Sequence, residues 1–245
     1  MEIEVILIIA TVGLLIGLAK GGFGPVAGAL ATPLLSQVMP VPQAVATALP
    51  LLMIGDVFAL GTYWRRWDIH HIRLLVPAAV IGVFAGAYLL TTLPDHILRP
   101  ALGLFTLTIV IYKIVSVRLT AANYHLHNWH GYLAGVTSGF SSAVANAGGP
   151  PFTAYMLLQN VSPTVFIGTT TLFFSVTNLI KLPSFIVAGL MDDTPLLVVL
   201  AVIPLVLTGV WLGKRFIKWV DPKVFENVML VLLVVACLLL FVKPG

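Results

Sequence analysis

The sequence predicts an all-α membrane protein built from two inverted repeats, each a broken, re-entrant helical hairpin followed by three transmembrane helices. Three observations carry this. First, of 245 residues 59% are hydrophobic and only 9% charged, whereas a soluble domain carries about 25% charged residues. Second, the apolar runs are about 20 residues long, the length of a membrane helix, while barrel strands alternate and are about half as long. Third, two glycine-rich interruptions, Gly17-Leu-Ala-Lys-Gly-Gly-Phe-Gly-Pro25 and Gly135-Val-Thr-Ser-Gly-Phe-Ser-Ser142, break such runs at matching places. A broken helix in hydrocarbon exposes unpaired peptide groups and is tolerated only where it is buried in protein or lines a wet cavity. The expected organisation is a first transmembrane repeat over 1–117, a cytoplasmic connecting segment over 118–130 and a second repeat over 131–245.

The elements follow in order. Ile3–Ala19 is an apolar arm, broken at Lys20–Pro25, and Val26–Val38 is a second, shorter arm. Met39-Pro-Val-Pro42 is a turn and Ala44–Tyr63 a span. Trp64-Arg-Arg-Trp67 and Arg73 form a basic loop, Leu74–Leu90 spans, Thr91–Arg99 is a short, nearly neutral loop, and Ala101–Val117 spans. The second half repeats this plan. Gly131–Ala145 is an arm, Asn146–Pro151 a break and Phe152–Gln159 a short arm. Thr164–Ala188, Leu196–Leu212 and Val224–Val242 are spans, separated by an acidic loop at Asp192-Asp193 and a basic one at Lys214, Arg215, Lys218 and Lys223.

An internal duplication is visible. Gly22-Phe23 matches Gly139-Phe140, and Pro33 matches Pro150. At a second offset Thr47 matches Thr169 and Asp56 faces Asn178, while Leu74–Ile81 and Leu196–Ile203 agree at all but two positions. Basic loops mark the cytoplasmic side. They leave no net crossing between Arg118 and Thr164, so Gly131–Gln159 is a hairpin entering from inside. Ile3–Val38 is its counterpart from outside, and both termini lie outside. Eight full spans, with the first arms crossing completely, are the competing topology.

The net charge of +4 sits in short loops. It reads as an orientation signal and not as a nucleic-acid footprint. Cys237 is the single cysteine, which rules out an internal disulfide, a thiol relay and a cysteine-pair metal site. Glu2 and Glu4, with no basic cluster, argue against a cleaved signal peptide.

Polar groups at membrane depth are costly and mark function by default. Lys20 sits beside Gly21, Gly22, Phe23 and Gly24. An ammonium, free peptide N–H groups and the positive end of the helix starting near Pro25 together favour an anion. The structural alternative is a lysine snorkelling to the interface. Thr137, Ser138, Ser141, Ser142 and Asn146 crowd the second break, where they can donate to an oxyanion or simply allow close helix packing. Asp56 lies inside one span, as a coupling-proton candidate or half of an ion pair. Asn178 and Lys181 lie one turn apart in another, as anion ligands or a structural contact. Pro50 and Pro183 kink the same helices. His125, His127 and His130, beside Tyr124 and Trp129, read as an interfacial segment rather than a metal site. No cofactor, no metal and no catalytic Ser/His/Asp, paired-carboxylate or phosphate-loop motif is read, so an enzyme is not expected.

At the two interruptions the sequence resembles the sulfite exporter TauE/SafE family of membrane transporters. The resemblance rests on Lys20-Gly-Gly-Phe-Gly-Pro25, Thr32-Pro33-Leu34, Gly135-Val-Thr-Ser-Gly-Phe140 and Gly148-Gly-Pro-Pro-Phe152, and on the duplicated layout. It implies a multi-pass protein of the cell membrane that moves sulfite, organosulfonates or similar sulfur oxyanions. The residues alone reach only "small anion". The expected function is a secondary transporter whose hairpin tips meet at mid-membrane and hold the anion, one repeat rocking against the other. The alternative is an anion channel with duplicated re-entrant hairpins. The partners expected are the small anionic substrate, the lipid bilayer, a coupling ion with the proton as candidate, and a second copy in a homodimer; nucleic acid is not among them.

Overall fold

A computed structural model describes residues 3–23, 29–119, 127–159, 161–193, 195–216 and scattered positions between 224 and 238. Gly24, Pro25, His125 and Cys237 lie outside the described residues, as does most of the expected span Val224–Val242; so do the side chains of Gly22, Phe23, Lys113, Arg118 and Lys214.

The described residues are helical throughout, with no strand among them. Helix α1 covers Ile3–Leu18 and runs into a π-helical turn at Ala19–Phe23; α2 covers Ala31–Leu35, α3 Val41–Thr62, α4 Ile69–Thr92 and α5 Asp95–Leu119. Then come α6 at Asn128–Ala145, α7 at Gly149–Leu157, α8 at Pro163–Val187 and α9 at Leu196–Phe216. Five of these, Ile3–Gly21, Val41–Thr62, Ile69–Thr92, Thr164–Val187 and Leu196–Gly213, are long and apolar enough to cross a membrane. The first expected interruption falls at the π-helical turn, but Gly135–Ser142 lies inside the unbroken helix α6, because Gly135 and Gly139 pack α6 against α4 instead of ending it; the second break follows at residues 146–148, within the expected Asn146–Pro151. The first arm is as long as a full crossing.

Two loops are shorter than the sequence suggests, each because an aspartate starts a helix early. The Asp68 carboxylate accepts from the backbone N–H of His70 and His71 at 2.8 and 3.4 Å, an N-cap that draws Arg73 into α4. Asp95 begins α5 and binds Arg99 at 2.5 Å, and its second oxygen accepts from Val41 N at 2.7 Å. Arg99 then donates to the carbonyls of Ser36 and Met39 at 2.9 and 3.4 Å. The end of the stretch expected to be a neutral loop is therefore a clasp, with Arg99 buried against the turn that follows α2.

Two parallel helix pairs organise the bundle: α1 lies along α9 and α6 along α4. Both seams are closed by glycine. A Cβ on Gly17 would strike the Val206 carbonyl, and one on Gly139 the Ala79 carbonyl; in return Gly209 faces Leu14 O and Gly82 faces Val136 O. Such seams let backbones meet where lipid offers no hydrophobic driving force. Gly17 meets α9 as Gly139 meets α4, so the packing does not follow the match of Gly22-Phe23 to Gly139-Phe140. Helices α3 and α8 run antiparallel: Gln43 reaches Asp193 O, Asp56 reaches Asn178, and Asp68 N reaches Thr169.

Candidate functional site

The interior between the two breaks holds one continuous chain of polar side chains. Lys20, in the π-helical turn, pairs with Asp56 of α3. Gly55 makes room for it, since a Cβ there would lie 2.9 Å from Lys20 Cγ. The other oxygen of Asp56 accepts from Asn178 Nδ2 at 2.7 Å. Asn178 Oδ1 in turn accepts from Lys181 Nζ at 3.4 Å. Lys181 is fully buried. It donates to Ser142 O at 2.9 Å and Asn146 Oδ1 at 2.5 Å, and the Ser142 hydroxyl lies at 3.5 Å. Asn146 Nδ2 completes the chain, donating to Thr32 Oγ1 at 3.0 Å and Val45 O at 3.3 Å.

The second break is shaped by the same residues. Asn146 ends α6 with a φ of 53°, the left-handed conformation that asparagine tolerates. Its backbone N–H bonds Ser142 O at 3.0 Å. The Ser138 hydroxyl crosses the break to donate to Gly148 O at 2.5 Å. Gly148 has no room for a side chain, since a Cβ would sit 2.5 Å from Ser138 O.

The sequence-derived candidates therefore separate. Lys20, Asp56, Ser142, Asn146, Asn178 and Lys181 come together, and Ser138 braces the break beside them. Thr137 and Ser141 do not join them. Their hydroxyls bond back to the carbonyls of Leu133 and Thr137 at 2.8 and 2.6 Å, and they line a separate apolar groove of about 630 Å³ with Phe105, Phe140 and Pro151. Gly21 packs against Gly213 of α9. Thr32 and the Val45 carbonyl are members that residue type alone did not single out; the one available signal was Thr32 beside Pro33 in a short arm.

The two hairpins touch where Asn146, in the second break, donates to Thr32 of the first hairpin's short arm at 3.0 Å. Gly21 lies beside Gly213 near the C-terminal end of α9, and Ala143 lies beside Gly86 in the last third of α4. Each break sits toward one end of the helix it packs on. Among the described residues, the connection between them runs through Asp56, Asn178 and Lys181.

The chain thus defines a multi-helix membrane protein with ionisable groups buried between two interrupted helices. It belongs to the sulfite exporter TauE/SafE family, whose model matches residues 9–240. It is similar to a probable membrane transporter protein, YtnM, of Bacillus subtilis (strain 168), with 27% identity over 175 residues. That match covers 67% of this chain and 58% of the relative, so the chain spans less than two thirds of the relative's length. No solved structure matches significantly.

Proposed function

We propose that this protein is a secondary transporter that moves a small sulfur oxyanion, sulfite or an organosulfonate, across the cell membrane by alternating access. The observation that carries the reading is the unbroken polar chain from Lys20 to Asn146. Buried charges in a membrane protein are expensive and mark substrate or ion pathways. Here two lysines and one carboxylate lie between the breaks of two interrupted helices, the arrangement from which transporter sites are built. The sulfur comes from the family, and the relative's description as a probable membrane transporter supports the class.

The inverted repeat, with its halves at 1–117 and 131–245, is supported by the antiparallel run of α3 and α8 and by the matching seams. The seams also change what has to move. Because α1 is fastened to α9 and α6 to α4, rocking one repeat against the other would tear both. The moving boundary instead falls between α1, α2, α3 and α9 on one side and α4, α6, α7 and α8 on the other. Three hydrogen bonds of the polar chain cross it: Asn178 to Asp56, and Asn146 to Thr32 and to Val45. Cargo entering there would replace contacts between the two bodies. Lys181 and Asp56 are 0% and 3% exposed, so every passage needs rearrangement. That suits a carrier better than an open channel.

Flux of radiolabelled sulfite and methanesulfonate into proteoliposomes tests the reading. Saturable uptake above empty vesicles is expected. Its absence for both anions would remove the substrate claim.

A further inference from the structure

We infer that the site accepts oxyanions bearing one negative charge, sulfite entering as the hydrogensulfite monoanion, and rejects doubly charged ones of the same shape. The inference rests on the anion-transport reading above and adds the charge of the cargo. It comes from a charge count. Among the described residues, three ionisable groups meet in the interior between the breaks: Lys20, Asp56 and Lys181. Arg99, the other buried cation, is matched by Asp95 and adds nothing.

The acceptors around Lys181 suit its charged form, and the count takes it as an ammonium. Its Nζ faces the acceptors Ser142 O, Asn146 Oδ1 and Asn178 Oδ1, with the Ser142 hydroxyl further off at 3.5 Å. Three carbonyl-type acceptors match the three N–H groups of an ammonium. The amides cannot turn round without loss, because the NH₂ of Asn146 is committed to Thr32 and Val45 and that of Asn178 to Asp56. Asp56 is taken by Lys20 and Asn178. Lys20 and Asp56 thus cancel, and Lys181 is balanced only by dipoles. The site carries one net positive charge.

A monoanion brings that sum to zero. A dianion leaves one negative charge buried without a partner, which is strongly unfavourable at low dielectric. The N–H and O–H donors are the same for both, so charge decides between them. Methanesulfonate and sulfate make the matched pair, with the same tetrahedral sulfur and a methyl group in place of one charged oxygen.

The test is binding by the purified full-length protein at constant ionic strength, read from the rise in thermal midpoint as each anion is titrated. Wild type should bind methanesulfonate at least about tenfold more tightly than sulfate. Asp56→Asn raises the net charge to two and should shift the ratio toward sulfate by about tenfold or more. Lys181→Gln lowers it to zero, so methanesulfonate leaves one negative charge unpaired and sulfate two; both should bind more weakly with no shift of the ratio toward sulfate, and a shift toward sulfate in this variant overturns the inference if Asp56→Asn does not fold. Sulfate binding as tightly as methanesulfonate in wild type overturns the inference while leaving an anion site in place. So does a ratio unmoved in Asp56→Asn. Failure of both anions to bind any form of the protein removes the anion-transport reading along with it.

Discussion

Asn178 donates a 2.7 Å hydrogen bond to Asp56, and the two residues stand 122 positions apart, the spacing that also relates Thr47 to Thr169. Lys20 reaches that pair from the first break, and Lys181, one turn beyond Asn178 on α8, links it to Asn146 of the second.

Replacing Lys181 by methionine removes the donor for Ser142 O, Asn146 Oδ1 and Asn178 Oδ1. Buried acceptors left unpaired cost about 1–3 kcal/mol, partly offset by no longer burying an ammonium. The variant should fold with a modestly lower unfolding midpoint in detergent, yet show uptake no greater than empty vesicles. Uptake at the wild-type rate would make Lys181 a packing residue.

The seams can be probed one methyl at a time. Gly17→Ala and Gly139→Ala each drive a Cβ into a facing carbonyl, and overpacking of this kind costs about 1–3 kcal/mol. Gly61, in the same kind of helix, has nothing within 4 Å of a built Cβ. Gly61→Ala should be neutral or gain up to about 1 kcal/mol from the lost flexibility of the unfolded chain. Thermal unfolding of the three purified variants separates these outcomes.

A disulfide decides which boundary moves. A Cβ on Gly13 would stand 4.0 Å from Val202 Cβ, within the range a disulfide spans. The pair Gly13→Cys and Val202→Cys, made with Cys237→Ser, ties the first repeat to the second through the seam of α1 and α9. Oxidised protein should transport as well as the same protein reduced. A block on oxidation that is relieved by reductant would show that the repeats separate along this seam.

At the second break, backbone and amide can be told apart. Asn146 has a φ of 53°, where glycine is unstrained and alanine costs roughly 1–2 kcal/mol. Asn146→Gly and Asn146→Ala should both lose uptake, because both lose the amide that links Lys181 to Thr32. Asn146→Ala should also melt lower. Normal uptake by Asn146→Gly would mean that the amide serves only to shape the turn.

Much of this was readable from residue type. Lys20-Gly-Gly and Asn146–Pro151 located the breaks, whereas Gly135 and Gly139 mark a helix seam instead, and polar residues at depth named most of the buried chain. The partners were less readable. Thr137 and Ser141 recur at the same helical spacing as Ser138 and Ser142, so both pairs look alike in a sequence; only the seam of α6 with α4 decides which pair faces inward. The match of Gly22-Phe23 to Gly139-Phe140 misled for a related reason. Glycines are frequent in these helices, and which of them close the seams is settled by the carbonyl each one faces. Asp95 and Arg99 escaped notice because opposite charges one turn apart also occur on solvated surfaces, and their burial depends on the distant turn at Ser36–Met39.

The fastening of α1 to α9 also bears on how the chain is made. Helix α1 finds its glycine-lined partner only after the chain has been made as far as α9, since Gly13 meets Val202. Until then Lys20 lies beside Gly13 and Gly17 faces that nothing yet covers. Assembly is therefore closed by a long-range event, the slowest kind for a chain to complete, and a truncation that removed α9 would strand the N-terminal helix in lipid rather than merely shorten the protein.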